Sequence, residues 1–355
     1  MVRCPAQRRG HVRRGTALGG GCGVAGQTVR AIGLLSGGLD SILAIRLLQE
    51  QGLAIEAFHG ILPVHGPELL AWVQRICQEL GVPLYAVDLE EPFFELLRRP
   101  RYGYGSGMNP CLDCHILLFR RAADRMREVG AAFVFTGEVL GERPMSQHRE
   151  ALRLVERQSG LQGYLLRPLS ARLLPPTVPE QQGLVDRERL LDIQGRSRKP
   201  QLALAQKYGL YEFPSPGGGC RLTDPGFARR ARDLLSHHPD FTRNDFELLK
   251  VGRHFRLSPR TRVIAGRTEQ ENRRIVELAQ EGDLLFEVKG TGSPVTLLRG
   301  SADVSDIALA AAITGRYADT PGGPVRVHYG TTYPDLPEAI VVEPAQEELL
   351  ARLRV

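Results

Sequence analysis

Long apolar runs are missing from this chain. No stretch of about 18 apolar residues occurs, which excludes an ordinary membrane-spanning helix. The N-terminus lacks the apolar segment of a secretory signal, so the expected location is the cytoplasm, with no membrane partner. Cysteine is sparse: six in 355 residues exclude a disulfide-stapled scaffold, and a cytosolic setting would keep most of them reduced. No internal repeat is found. No acidic residue occurs in the first 39 positions, which hold six arginines, and residues 226–275 carry twelve Lys or Arg against six acids. The net charge of +6 is therefore unevenly placed, which favours a polyanionic partner. Charge alone is equally that of a solvated arginine-rich surface.

What is present suffices for two compact domains, with 42% hydrophobic residues to fill their cores. Residues 1–29 show no periodicity and many glycines, and read as a disordered basic arm. From Arg30 onward, short apolar runs at 31–35, 54–58, 84–87 and 132–136 alternate with helical spacings at 41–51, 67–80 and 113–129. That alternation predicts βαβ units, hence an α/β fold with a doubly wound parallel sheet, over residues 30–225. A second α/β pattern follows, with RVIAG, TEQENRRIVELAQ, DLLFEV, PVTLLR and VSDIALAAAI in turn. It predicts a smaller basic α/β domain over 226–355.

The stretch SGGLDS, residues 36–41, links the first apolar run to a helical pattern. Gly37 and Gly38 allow a sharp turn that brings N–H groups to an anion, and the helix start offers its positive end to the same charge. A nucleotide phosphate suits such a nest. Neither GxxxxGK[ST] nor GxGxxG is present, so the two commonest nucleotide fingerprints do not apply. Without a ligand, the same stretch is a strand, turn and helix capped by Asp40 or Ser41.

Three cysteines stand apart from the rest. Cys4 and Cys22 lie in the glycine- and arginine-rich leader, and Cys77 falls in a helical pattern that predicts a buried structural thiol. Cys111 and Cys114, in MNPCLDCH, form a CxxC at a helix start, which suits metal or cluster ligation, a dithiol redox pair or a persulfide carrier. No second CxxC exists, so a four-cysteine zinc ribbon is excluded, and the neighbouring His115 reads as a helix-surface residue. Cys220, in PSPGGGCRLTDP, follows glycines that permit close approach. Three protein thiolates can hold a cubane iron–sulfur cluster with one iron open to sulfide.

SGGLDS resembles the PP-loop of the ATP pyrophosphatases, SGGxDS, at Ser36, Gly37, Gly38, Asp40 and Ser41. MNPCLDCH resembles the NPC segment of tRNA 2-thiouridylases. TGEVLGERPMSQ, residues 136–147, resembles a segment of the tRNA 4-thiouridine synthetases, and LLRPLSA, residues 165–171, is similar to the LRPL segment of both. Residues 263–300 resemble the RNA-binding module of NFACT proteins. The first resemblance implies an adenine nucleotide alpha hydrolase-like fold that cleaves ATP between its α and β phosphates to adenylate a substrate.

Together these resemblances imply an ATP-dependent tRNA thiouridine synthase. Ser36, Gly37, Gly38 and Ser41 would hold the ATP phosphates, Asp40 would orient the loop or help bind Mg²⁺, and Thr136 and Gly137 would end a strand beside the nucleotide. Arg143 and Arg167 become candidate leaving-group or RNA contacts. Cys111, Cys114 and Cys220 would converge beside SGGLDS, as ligands of a [4Fe-4S] cluster or as carriers of a persulfide. The partners implied are tRNA and a sulfur donor, either sulfide or a persulfide carrier. The 4-thiouridine synthetases carry an N-terminal RNA-binding domain of the THUMP type, whereas about thirty residues precede SGGLDS here, so RNA is expected to be held elsewhere. Two other readings share the motif: an amidotransferase or ligase adenylating a small carboxylate, which needs no three cysteines, and an RNA-binding factor with a vestigial ATP site, against which the intact SGGxDS argues.

Overall fold

The computed structural model describes residues 31–213 and 220–355; the expected basic arm at 1–29 and the glycines before Cys220 lie outside the described residues. The described residues divide into two compact units, one of residues 31–105 and 110–213, the other of 106–109 and 220–355. Among the described residues, no helix is long and apolar enough to cross a membrane.

The first unit runs β1 (Ala31–Leu34), α1 (Leu39–Gln49), β2 (Ile55–Ile61), α2 (Pro67–Leu80), β3 (Leu84–Asp88), α3 (Glu90–Arg98), α4 (Cys111–Val129), β4 (Phe133–Thr136), α5 (Arg149–Ser159), β5 (Leu165–Leu166), α6 (Val178–Gln181) and α7 (Lys199–Lys207). Its five strands lie in the order β3-β2-β1-β4-β5, and every pairing is parallel. Both faces of such a sheet must be covered. In β4, Phe133 and Phe135 pack with Ile42, Ile45, Val73 and Ile76 of α1 and α2, while Val134 turns to Ile116, Phe119 and Val155 of α4 and α5. The predicted doubly wound sheet is thus the fold of the first unit.

Helix α1 is buried on two sides. Ile42, Ala44 and Ile45 face the sheet, and Leu39, Leu43 and Leu47 pack with Ala205 and Leu204 of α7. Because β2 and β4 flank β1 on opposite sides, the strand order reverses beside β1, and a crevice opens beyond the carboxyl ends of β1 and β4. SGGLDS follows β1 and TGEVLG follows β4.

The second unit contains α8 (Pro225–His237), α9 (Arg243–Leu248), β6 (Arg253–Ser258), β7 (Thr261–Ala265), α10 (Glu269–Leu278), β8 (Leu284–Glu287), β9 (Thr296–Gly300), α11 (Val304–Arg316), β10 (Val325–Gly330), β11 (Glu338–Val342) and α12 (Glu347–Leu353). It is α/β in content, and its sheet, ordered β11-β10-β8-β9-β7-β6, is antiparallel throughout. Strand β7 shows the two-residue alternation: Val263 and Ala265 pack towards Ala310 and Ala311 of α11, and Ile264 towards Leu248 and Ile275 of α9 and α10. Arg262 is buried and bonds the Asp245 carboxylate, which also accepts from Arg299 Nη1 at 2.9 Å. Burial pulls the Arg262 guanidinium down to about 10.

The basic excess read from the sequence is smaller at the surface than on paper. Lys250, Arg256, Arg262, Arg267, Arg273 and Arg274 each pair with a carboxylate of their own unit. At least half of the twelve cations in 226–275 therefore have an acidic partner in the fold.

Candidate active site

Gly37 has φ +83°, and an added side chain there would meet Leu69 and Trp72 at 3.0 Å, so the turn accepts glycine alone. Trp72 Nε1–H donates to the Gly37 carbonyl at 2.9 Å and fixes the turn to α2. Gly38 is the N-cap of α1 and supplies no side-chain cap, which leaves the first amides of an eleven-residue helix to other acceptors. The Ser41 hydroxyl donates to the Gly38 carbonyl at 2.7 Å, and the Gly38 N–H donates to Ser36 Oγ at 3.3 Å. Asp40 lies in the first turn of α1, but Gly38, not Asp40 or Ser41, occupies the cap. Ser36, Gly37, Gly38, Asp40 and Ser41 thus form one turn at a helix start, the arrangement that receives phosphate.

Thr136 ends β4 and is 7% exposed. Gly137 follows it and touches the turn: a Cβ there would lie 2.4 Å from the Asp40 carbonyl carbon and 2.4 Å from Ser41 N. Backbone atoms cannot step aside as a side chain can. Gly137→Ala is expected to displace the start of α1 and weaken ATP binding about tenfold or more, since a shift of about 1 Å in a positioned group costs that order. Calorimetric titration with ATP checks this, and wild-type affinity would refute it.

Burial raises the Asp40 carboxyl above its ordinary value, against the pull of Arg198, the Gln201 amide and Arg143. Burial and the Asp40 charge likewise raise Glu142, against Arg143 and Arg198. Two carboxylates therefore share one partly dry region beside the turn. Asp40 Oδ1 is buried without a hydrogen-bond partner. An orphaned carboxylate oxygen next to a second carboxylate fits Mg²⁺, which is held by one or two carboxylates together with substrate phosphates. Arg143 is exposed, and its backbone N–H donates to Gln147 Oε1 at 3.0 Å, which closes the loop on itself.

Arg167 has a different place from the one expected. It is 2% exposed, its Nε donates to Glu138 Oε2 at 2.9 Å, Nη2 donates to the Leu152 carbonyl at 3.4 Å, and Nη1 bonds the Glu156 carboxylate. With its donors committed inside the unit, it is not positioned to contact RNA. His115 is also corrected: it is no bystander on the helix surface, because its Nδ1–H donates to Glu138 Oε1 at 3.0 Å. Burial by itself would raise Glu138, but the Arg167 charge and His115 outweigh it and hold the carboxyl below its ordinary value. This network joins α4, the segment after β4 and the LLRPLSA stretch; nothing in the spacing of His115, Glu138 and Arg167 announces it.

Cys111 is the first residue of α4 and Cys114 stands one turn later on the same face, both half-buried. Cys220 begins the longer segment of the second unit, where its carbonyl accepts from the Thr223 N–H at 2.8 Å and hydroxyl at 2.7 Å. Cys77 is 3% exposed and burial pushes its thiol up to about 12, which agrees with a structural role. None of these four cysteines is in a disulfide. Among the described residues, no group of three or more His, Cys, Asp or Glu side chains is placed to hold a metal ion. The expected three-cysteine cluster is therefore unsupported, and no chemical step is routed through one.

Residues 29–182 match the family model described as the tRNA methyl transferase HUP domain, and residues 252–354 match the NFACT protein RNA binding domain. The chain joins a HUP domain to an NFACT-type RNA-binding domain. It is similar to the tRNA-specific 2-thiouridylase MnmA of Nitratidesulfovibrio vulgaris strain DP4, at 38% identity over 108 residues, 29% of this chain and 31% of that protein. It is also similar to the bifunctional protein NifU/MnmA of Rubrobacter xylanophilus, at 30% identity, 47% of this chain and 36% of that protein. The chain thus spans about a third of the length of the curated relatives it matches. Among solved structures, a 4-thiouridine synthetase–RNA complex with bound ATP is 21% identical, with a TM-score of 0.39 over 61% of this chain and 53% of that one.

The HUP domain carries the SGGLDS turn and the α4 cysteines, and the NFACT-type domain carries an open groove. That groove has a volume of about 820 Å³ and is lined by Arg253, Arg267, Asn272, Tyr317 and Tyr333 among others. The Arg253 guanidinium lies over the Tyr317 ring at 4.3 Å. An aromatic face beside arginine suits a base and its phosphate.

Proposed function

We propose that this protein is an ATP-dependent tRNA thiouridine synthase. The observation that carries the reading is the SGGLDS turn at the crevice of the HUP domain, with Gly137 packed on Asp40 and Ser41. A turn so placed holds the phosphates of ATP while a uridine carbonyl oxygen attacks the α phosphate and pyrophosphate leaves. The adenylated oxygen is then a good leaving group. Gly37, Gly38, Ser36 and Ser41 would bind phosphate, Asp40 would help hold Mg²⁺, and Arg143 would meet the developing charge. Mg²⁺ supplies charge neutralisation on the phosphates.

Sulfur arrives as a persulfide on one of Cys111, Cys114 and Cys220, loaded by a persulfide carrier. Its terminal sulfur attacks the activated carbon and AMP departs; a second cysteine thiolate then breaks the sulfur–sulfur bond, leaving thiouridine on the RNA and a protein disulfide that an external thiol must reduce. The NFACT-type domain holds the tRNA, with its groove as the contact.

Nucleoside mass spectrometry of tRNA tests the reading. A deletion strain is expected to lose 4-thiouridine or 2-thiouridine and to regain it with the wild-type gene but not with Cys111→Ser. An unchanged nucleoside profile on deletion would sink the thiolation reading.

A further inference from the structure

The described residues contain seven buried side-chain nitrogen or oxygen atoms without a hydrogen-bond partner, and four of them belong to Asp40, Arg198 and Gln201. Buried polar atoms are almost always satisfied, so such a concentration calls for a cause. Gln201 is 0% exposed, and its amide lies near enough to the Asp40 carboxyl to favour the ionised form, yet neither its oxygen nor its nitrogen reaches a partner in hydrogen-bond geometry. Arg198 Nε is in the same condition, and so is Asp40 Oδ1.

Their placement follows from packing. Leu140, just after β4, pairs with Gln194, and the Gly195 N–H donates to the Leu140 carbonyl at 2.8 Å. The Ser170 hydroxyl donates to the Ile193 carbonyl at 2.6 Å and accepts the Leu140 N–H at 2.9 Å. The chain is thereby anchored beside the crevice three residues before Arg198, which is the N-cap of α7. Gln201 and Ala205 are the buried residues of α7, one turn apart on one face, and Ala205 packs against Leu39 and Leu43 of α1. Gln201 is thus held against the first turn of α1, where Asp40 stands. Arg198 and Gln201 both act on the Asp40 carboxyl, and Arg198 also acts on Glu142.

We propose that Arg198 and Gln201 belong to the nucleotide site: Arg198 as a cation for the pyrophosphate end of ATP, and Gln201 as the positioning residue that aims Asp40 at its Mg²⁺. The inference rests on reading SGGLDS as an ATP loop. Its logic is complementarity. The unpartnered set offers guanidinium and amide donors to phosphate oxygens, and a carboxylate with an amide oxygen to a hard cation or its water, which is the mixed character of a metal-bound polyphosphate. An ammonium or a carboxylate ligand would satisfy one half of the set and leave the other unpaired.

The test is calorimetric titration of the full chain with α,β-methylene-ATP, which cannot be cleaved at the scissile bond, over a range of Mg²⁺ concentrations. Arg198→Ala is expected to weaken binding about tenfold or more, the scale of one charge-assisted hydrogen bond, with Arg198→Lys between it and the wild type. Gln201→Leu is expected to bind near wild-type strength at saturating Mg²⁺ but to need about tenfold more Mg²⁺ to reach it. Wild-type binding by Arg198→Ala and Gln201→Leu at every Mg²⁺ concentration overturns the inference. So does a Gln201→Leu defect independent of Mg²⁺, which would mark a packing role. A wild-type protein that binds no nucleotide refutes the ATP loop itself, while unaltered tRNA nucleosides alongside Arg198-dependent binding refute thiolation and leave this inference standing.

Discussion

Asp40→Asn is expected to make the ligand-free protein more heat-stable above neutral pH while lowering AMP release about a hundredfold or more, the scale on which loss of an aimed charge slows a polar reaction. The two effects share a cause. Burial raises the Asp40 carboxyl above its unfolded value of 3.8. The folded chain therefore holds the proton more tightly than the unfolded chain, so the contribution of Asp40 to stability is full below pH 3.8 and is lost as pH rises through the raised folded value. Above that value the ionised carboxylate is a net cost to the fold, and asparagine removes it. Thermal melts of both proteins from pH 3 to 9 should show midpoints that separate as pH rises and then run parallel. Equal midpoints at pH 8, or undiminished AMP release, would show that Asp40 is neither strained by burial nor used for chemistry. Mg²⁺ with ATP should narrow the stability gap, because ligand binding favours the folded wild type.

The second large effect concerns Glu138. Glu138→Ala removes the carboxylate that receives Arg167 Nε and His115 Nδ1, and leaves a guanidinium that is 2% exposed with Glu156 as its remaining charged partner. Breaking a buried pair from one side costs about 3–5 kcal/mol. For a unit of this size that lowers the melting midpoint by roughly 6–20 °C. The double substitution Glu138→Leu with Arg167→Met removes both charges and should recover most of the loss, since apolar replacement of a buried pair is often near neutral. A Glu138→Ala midpoint within about 2 °C of the wild type, on the same scale, would mean that the network does not hold the unit together. The carboxyl sits below its ordinary value of 4.5, so its contribution is full above that pH and disappears as pH falls through the depressed folded value.

The strands and helices of the first unit were legible because parallel strands buried on both faces are continuous apolar runs, and β1 to β4 fall on the four that the sequence displays. SGGLDS was legible for a local reason: strand, glycines and helix are adjacent in the chain. Gln201 and Arg198 were not, because they meet Asp40 only through the packing of α7 on α1, and an isolated Gln in a polar helix carries no mark of burial. His115 was misread for the same reason, its partner Glu138 lying 23 residues away. In the second unit the alternation of helix and strand suggested the right content, while strand direction depends on how connections cross the sheet, which apolar periodicity does not encode. Charge counting is blind to pairing: Arg262 and Arg256 add to the basic excess, although the fold pairs them with Asp245 and Asp233.

The second unit is discontinuous in the chain, since Ser106–Asn109 belongs with residues 220–355. During biosynthesis the ribosome delivers this short piece long before its partners. At roughly 5–20 residues per second, the Leu222 carbonyl that receives the Met108 N–H emerges on the order of 6–20 s later. The HUP domain must therefore fold around a loop whose anchor does not yet exist, with the first turn of α4 and its two thiols adjoining it. A gene cut between codons 219 and 220 would separate the units in name only: the C-terminal fragment would lack the segment that Gly107 brings against Leu222, and the N-terminal fragment would keep it with nothing to close upon.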